Sequence, residues 1–159
     1  MEIDEAMSEQ PIIRRALAGD ETAVRACVED AYAHYVPLIG RKPAPMLADY
    51  AAQIAAGQVY VATQGSDTVL GLIVFFPVEQ SMFLENVAVC KAAAGKGIGK
   101  SLIRFCEDEA RRLGLASVSL YTNERMVDNL GMYPRLGYVE VGRRREAGFD
   151  RVFFEKFMG

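Results

Sequence analysis

The stretch Leu84-Glu85-Asn86-Val87-Ala88-Val89, followed after four residues by Ala94-Gly95-Lys96-Gly97-Ile98-Gly99-Lys100-Ser101, decides how this chain is read. The first segment alternates as a strand does, and the second is a glycine-rich loop opening a helix. Ile98, Leu102, Phe105, Cys106, Glu109 and Leu113 continue it at helical spacing, up to Gly114. Gly95, Gly97 and Gly99 leave the backbone unobstructed. The first amides of the helix have no partner within it, and its dipole is positive at that end. With Lys96 and Lys100 alongside, the stretch is suited to a diphosphate.

Outward from this centre, the pattern predicts a β-α-α-β-β-β-α-β-α-β-β order. Ile12 to Leu17 is a first strand, followed by a helix carrying Ala23, Val24, Cys27, Val28 and Ala31, with Asp20 as its N-cap. Pro37, Gly40, Pro43 and Pro45 break the chain. A second helix takes Met46, Leu47, Tyr50, Ala51 and Ile54, stopped by Gly57. Gln58 to Thr63 and Thr68 to Phe76 flank the turn Gly65-Ser66-Asp67, and Met82 to Val89 is the next strand. Beyond the glycine loop come a strand at Leu115 to Thr122, a helix at Met126 to Leu136, and strands at Tyr138 to Val141 and Arg151 to Phe157. The fold class is therefore α/β (α+β): a mixed, mainly antiparallel sheet of about seven strands with helices on both faces.

Composition limits the function. The chain has 159 residues, a net charge of −3 and 51% hydrophobic residues. This is the composition of a globular domain, expected over residues 11–159 behind a flexible acidic tail at residues 1–10. A nucleic-acid coat needs a basic face, so no nucleic-acid partner is expected. No apolar run reaches the roughly 20 residues of a membrane helix, and no signal peptide is evident, so no membrane partner and a cytoplasmic location are expected. Cys27, Cys90 and Cys106 are scattered and His34 is the sole histidine, which suggests neither a disulfide framework nor a metal site. Cys27 and Cys106 read as buried thiols.

Two nucleotide readings compete for the glycine loop. It is one substitution, Ala94, from the Walker A pattern. That loop works with a carboxylate on a later strand to hold magnesium. The strand from Leu115 ends in Thr122-Asn123 and offers none, so a P-loop-like nucleotide binder is the distant alternative. The dinucleotide fingerprint fails because its third glycine comes one residue early.

The blocks Leu84 to Val89, Gly95 to Leu102, and Asn129-Leu130-Gly131-Met132-Tyr133-Pro134-Arg135-Leu136-Gly137-Tyr138, in that order and spacing, resemble the GNAT superfamily of N-acetyltransferases. The resemblance runs from about Ile12 to the C-terminus. It implies acetyl-CoA as cosubstrate, no metal, and transfer of the acetyl group to an amine of a small molecule or peptide by direct attack. Val87, Ala88 and Val89 would pair with the pantetheine arm, and the amides of Gly95, Lys96, Gly97, Ile98, Gly99 and Lys100 would hold the diphosphate. Asn129 would lie near the pantetheine or the acceptor. A homodimer is also implied.

Two departures accompany the resemblance. Ala94 stands where the family carries Arg or Gln, and Met126 where many relatives carry asparagine. On this basis Tyr133 is expected to protonate the leaving sulfur. Glu85 is expected to act as base directly or through water, against the alternative of a solvent-facing Glu, and a β-bulge near Val87 would change its face. Tyr121 is the reserve base. The acceptor pocket is expected from the first two helices and their connection, with Tyr32, Tyr35 and Arg41 as candidates and His34 as an ordinary surface or hydrogen-bonded histidine. Arg143-Arg144-Arg145 reads most simply as the flank of an exposed turn, or as a contact for the CoA 3′-phosphate or a partner. A non-catalytic CoA-binding sensor or assembly subunit on the same scaffold is the alternative from a different class.

Overall fold

The computed structural model describes residues 11–65 and 68–159. The acidic tail and the Ser66-Asp67 half of the first turn lie outside the described residues. Seven strands form one sheet: β1 (Ile12–Arg15), β2 (Val59–Gln64), β3 (Thr68–Val78), β4 (Ser81–Val89), β5 (Ser117–Asn123), β6 (Val139–Glu146) and β7 (Phe149–Phe157). Their spatial order is β1-β2-β3-β4-β5-β7-β6, with β4–β5 the one parallel pair. The helices are α1 (Glu21–Tyr32), the short α2 (Val36–Ile39), α3 (Tyr50–Ala55), α4 (Ile98–Arg112) and α5 (Val127–Arg135). The mixed, mainly antiparallel α/β class read from the sequence is what the chain adopts.

The sheet divides two cores. One packs α4 against Ile73, Phe75, Met82, Leu84, Val118 and Phe154. The other packs α1 and α3 against Val59, Val61, Leu72, Val74 and Ala88. Gly71 lets α4 sit this close. A Cβ there would lie 2.8 Å from the Ala88 carbonyl and 3.3 Å from side-chain carbons of Ile98 and Leu102. Cys27 and Cys106 are buried as expected, but Cys90 adds a contact the sequence did not suggest, its Sγ lying 2.8 Å from that of Cys27. No described helix is long and apolar enough to cross a membrane.

Several boundaries differ from expectation, each for a local reason. Asp20 stands at the N-cap position of α1 without capping it through its side chain. It has helical dihedrals itself, and its carboxylate accepts from the Leu17 amide at 2.7 Å and from Arg14 at 2.8 Å. Met46 and Leu47 belong to a separate 3-10 turn, and α3 starts after Asp49, whose side chain accepts from the Ala52 amide. Arg143-Arg144-Arg145 are exposed and flank a turn as expected, but as paired residues of β6. Arg144 pairs with Glu146 at 2.7 Å and stacks over Phe153, while Arg145 pairs with Asp150 at 3.2 Å. The turn itself is Ala147-Gly148, both at positive φ, as a two-residue hairpin requires.

Candidate active site

The site begins where β4 and β5 part. Their pairing covers Ser81 to Phe83 against Ser117 to Ser119 and goes no further. Beyond Phe83, one edge of β4 therefore faces an open wedge. The Cys90 amide donates to Leu70, so in this antiparallel ladder Ala88 and Asn86 also direct their main chains toward β3. Val87 and Val89 point theirs into the wedge. This corrects the expectation for Ala88, whose peptide groups serve the sheet.

A β-bulge interrupts the same strand. Val74 pairs with Asn86 and Phe75 with Leu84, leaving Glu85 with no partner on β3. The bulge thus lies at Glu85, two residues before Val87. Leu84 stays in the α4 core, whereas Asn86 turns to the α1 side, where the Tyr32 hydroxyl lies 2.5 Å from its Oδ1. Glu85 turns to α3, where Gln53 Nε2 donates to its Oε2 at 2.5 Å.

Beside the wedge lies a cavity of about 380 Å³. Glu85, Tyr133, Tyr32, Tyr121, Val87 and Asn129 all line it, so six residues singled out from distant parts of the sequence share one space. Tyr133 is buried at the C-terminal end of α5, packed edge-on against Tyr138, and burial raises its phenol above the ordinary value. The Tyr32 phenol is also raised well above its ordinary value, by burial first and by neighbouring Tyr133 second. Asn129 Nδ2 donates to Thr122 Oγ1 at 3.2 Å, tying α5 to the end of β5.

Two expected pocket residues stand outside it. Tyr35 is buried, and its hydroxyl engages Asp128. Arg41 stacks on the outer side of Phe149, 4.2 Å from the ring centre, and it is Phe149 that reaches the cavity. His34 lies against the Tyr35 ring. The cavity also contains residues the sequence did not signal, among them Gln53, Phe149 and Arg151, together with Met126, noted above as a departure from the family. Arg151 lies 4.1 Å over the Tyr121 ring and pairs with Glu146.

The glycine loop stands at the other end of the exposed β4 edge. Gly95 and Gly97 have φ of 79° and 77°, and a Cβ on either would meet nothing within 4 Å. Gly97 accepts from the Ser101 amide and so begins α4, which leaves the amides of Ile98, Gly99 and Lys100 without helical partners. Upstream, the Lys91 amide donates to Asp30 at 2.6 Å and ties the loop to α1.

The open β4 edge thus has the cavity beside one end and a bare glycine cradle at the other. The model of the acetyltransferase (GNAT) family matches residues 25–138. The chain belongs to the GNAT acetyltransferase family.

Among curated proteins, it is 26% identical to a probable N-acetyltransferase 14 of Xenopus tropicalis, over 62% of this chain and 49% of that one. It is 28% identical to the uncharacterized N-acetyltransferase YvbK of Bacillus subtilis, over 62% of this chain and 59% of that one. The matches thus span about half to three fifths of those relatives.

Solved GNAT structures share the fold. The PaiA N-acetyltransferase of Thermoplasma acidophilum, in complex with coenzyme A, superposes with a TM-score of 0.77 at 15% identity, covering 93% of this chain and 99% of that one. The ribosomal-protein-S18-alanine N-acetyltransferase of Escherichia coli gives 0.73 at 18% identity, covering 94% of both. Family membership displaces the P-loop alternative for residues 94–101.

Proposed function

We propose that this GNAT protein transfers an acetyl group from acetyl-CoA to a primary amine of a small molecule or peptide, both substrates being bound together. The observation that carries this reading is the placement of Glu85 and Tyr133 in one cavity, beside the open β4 edge.

The residues present fit acetyl-CoA. Val87 and Val89 offer main-chain groups to an extended arm, as an added strand would use them. The amides from Gly95 to Lys100 suit its diphosphate, and the open space over Gly95 and Gly97 leaves room for it. This cradle is built of backbone, which is why Ala94 does not spoil it. The thioester supplies an activated acyl carbon for attack.

The protein's own part is proton handling and positioning. Glu85 takes a proton from the acceptor nitrogen, directly or through water, so that its lone pair is free to form the new C–N bond as the C–S bond breaks. Tyr133, kept protonated by its buried setting, donates to the departing sulfur. Tyr121 and Arg151 wall the acceptor side, with Asn129 holding α5 in place. Val139 and Val141, exposed on edge strand β6, support a strand-mediated homodimer. Binding of acetyl-CoA, followed by its consumption across a panel of amines, tests the reading. Acetyl-CoA binding without consumption would favour the CoA-binding sensor, and no binding at all would overturn both.

A further inference from the structure

We propose that Gln53 is a positioning residue that holds the Glu85 carboxylate in its working orientation, at a cost to folding stability. The inference rests on the acetyl-transfer reading above and extends it to a residue of α3.

A side chain in a regular strand is aimed by the pleat and braced by neighbours on both sides. Glu85 has lost both supports. The bulge leaves it without a partner on β3, and β5 has already parted from β4 two residues earlier. Its direction must come from a side-chain contact, and Gln53 Nε2 at 2.5 Å from Oε2 provides one.

The geometry also fixes which end of the amide is which. An ionised carboxylate only accepts, so the NH₂ group must face Glu85 and the carbonyl must point away. That carbonyl, Gln53 Oε1, is shielded from solvent and lacks a hydrogen-bond partner; among the described residues no other buried side-chain oxygen or nitrogen does. Three polar side chains of this region are engaged with other partners. Tyr50 donates to the Pro45 carbonyl, Asn86 Nδ2 to Tyr50, and Asn129 Nδ2 to Thr122.

A buried acceptor left unpaired destabilises the fold, and native proteins contain few. Methionine of similar length would fill the same space with no polar atom to satisfy. A residue present only for packing would not be a glutamine here. The unpaired carbonyl is the consequence of bringing a neutral N–H donor to Glu85, where a Lys would pair with the carboxylate and compete with an incoming amine.

Gln53→Met and Gln53→Glu separate this role from a structural one. Both keep the side chain's length and remove the amide N–H donor, the second by placing another carboxyl group against Glu85. With any amine that the wild type acetylates, kcat should fall about tenfold or more in each variant, a share of the effect of a general base. The KM for acetyl-CoA should stay unchanged, and the Tm of Gln53→Met should equal or exceed that of the wild type. Unchanged kcat in Gln53→Met would overturn the inference and leave acetyl transfer standing. So would a lowered Tm in that variant, which would mark Gln53 as a packing residue. A wild type that binds acetyl-CoA yet acetylates no amine would remove the reading beneath it.

Discussion

The Tyr32 hydroxyl lies 2.8 Å from the carbonyl oxygen of Val87, and so α1 is tied to the open edge of β4. The same hydroxyl is 2.5 Å from Asn86 Oδ1, and its single proton is shared between two acceptors. Asn86 passes the connection on through Nδ2 to Tyr50. Tyr32→Phe removes that proton while keeping the ring. It should lower stability by about 1–3 kcal/mol, the cost of buried acceptors losing a donor. A looser Val87 should also weaken acetyl-CoA several-fold. Denaturant unfolding and titration calorimetry check the two effects, and no change in either would reduce Tyr32 to a space-filling ring.

Gly97 and Gly99 should respond differently to alanine. Gly97 has φ of 77°, so a Cβ is strained there by about 1 kcal/mol, and the methyl would project into the open face of the cradle. Gly99 lies within α4, where a Cβ would lie 3.5 Å from a Val89 methyl, an ordinary contact. Gly97→Ala should therefore weaken acetyl-CoA roughly tenfold or more, about 1.4 kcal/mol or greater. Gly99→Ala should leave affinity within a few-fold. Equal affinities in the two variants would mean the diphosphate is held elsewhere.

How far the sequence could be read follows from how local each signal was. The glycine loop, the caps at Gly57 and Gly137 and the alternation of β4 each depend on a few adjacent residues, and these were legible. The β6–β7 hairpin was shortened because three successive arginines resemble a loop, whereas cross-strand Asp150 and Glu146 and the Phe153 ring accommodate them. Gln53 carried no signal, since its meaning depends on a bulge 32 residues away that redirects Glu85. A bulge near Val87 was only a condition on the direction of Glu85, and the one at Glu85 shows only in the strand register. Arg41 and Tyr35 were misplaced because the connection after α1 is irregular, and direction along such a segment has no period.

Tyr133, the proposed acid, is one of several buried phenols that bear on alkaline stability. Burial raises the phenols of Tyr32, Tyr50, Tyr133 and Tyr138 above their ordinary value. In the unfolded chain they ionise near about 10. Above that pH the unfolded state sheds protons that the native state keeps, so unfolding is favoured as pH rises. Below it, their contribution is complete. Each such phenol adds a slope of about 1.4 kcal/mol per pH unit. Tm should hold up to about pH 10 and then fall steeply, with phenolate absorbance rising together with unfolding. Early, reversible ionisation of these phenols in the folded protein would contradict their burial. At neutral pH, Tyr133→Phe should keep acetyl-CoA affinity and lower turnover; undiminished turnover would reject its role as acid.

The buried carboxylate of Glu107 shows what an uncompensated charge would cost this fold. Glu107 on α4 accepts from the Tyr138 hydroxyl at 2.7 Å, and Lys156 Nζ lies 3.2 and 3.3 Å from its two oxygens. The Glu107 side chain is 6% exposed and that of Lys156 27%, so the lysine reaches solvent and the carboxylate does not. Lys156→Met leaves Glu107 buried with one hydroxyl donor. Removing one partner of a fully buried pair costs about 3–5 kcal/mol, and the lysine's exposure reduces this to about 2–3 kcal/mol. Adding Glu107→Gln to that variant removes the charge while its amide carbonyl still accepts from Tyr138, and should restore most of the loss. Denaturant midpoints measure both variants. If the double variant is no more stable than Lys156→Met alone, the penalty comes from lost lysine packing rather than from an uncompensated charge.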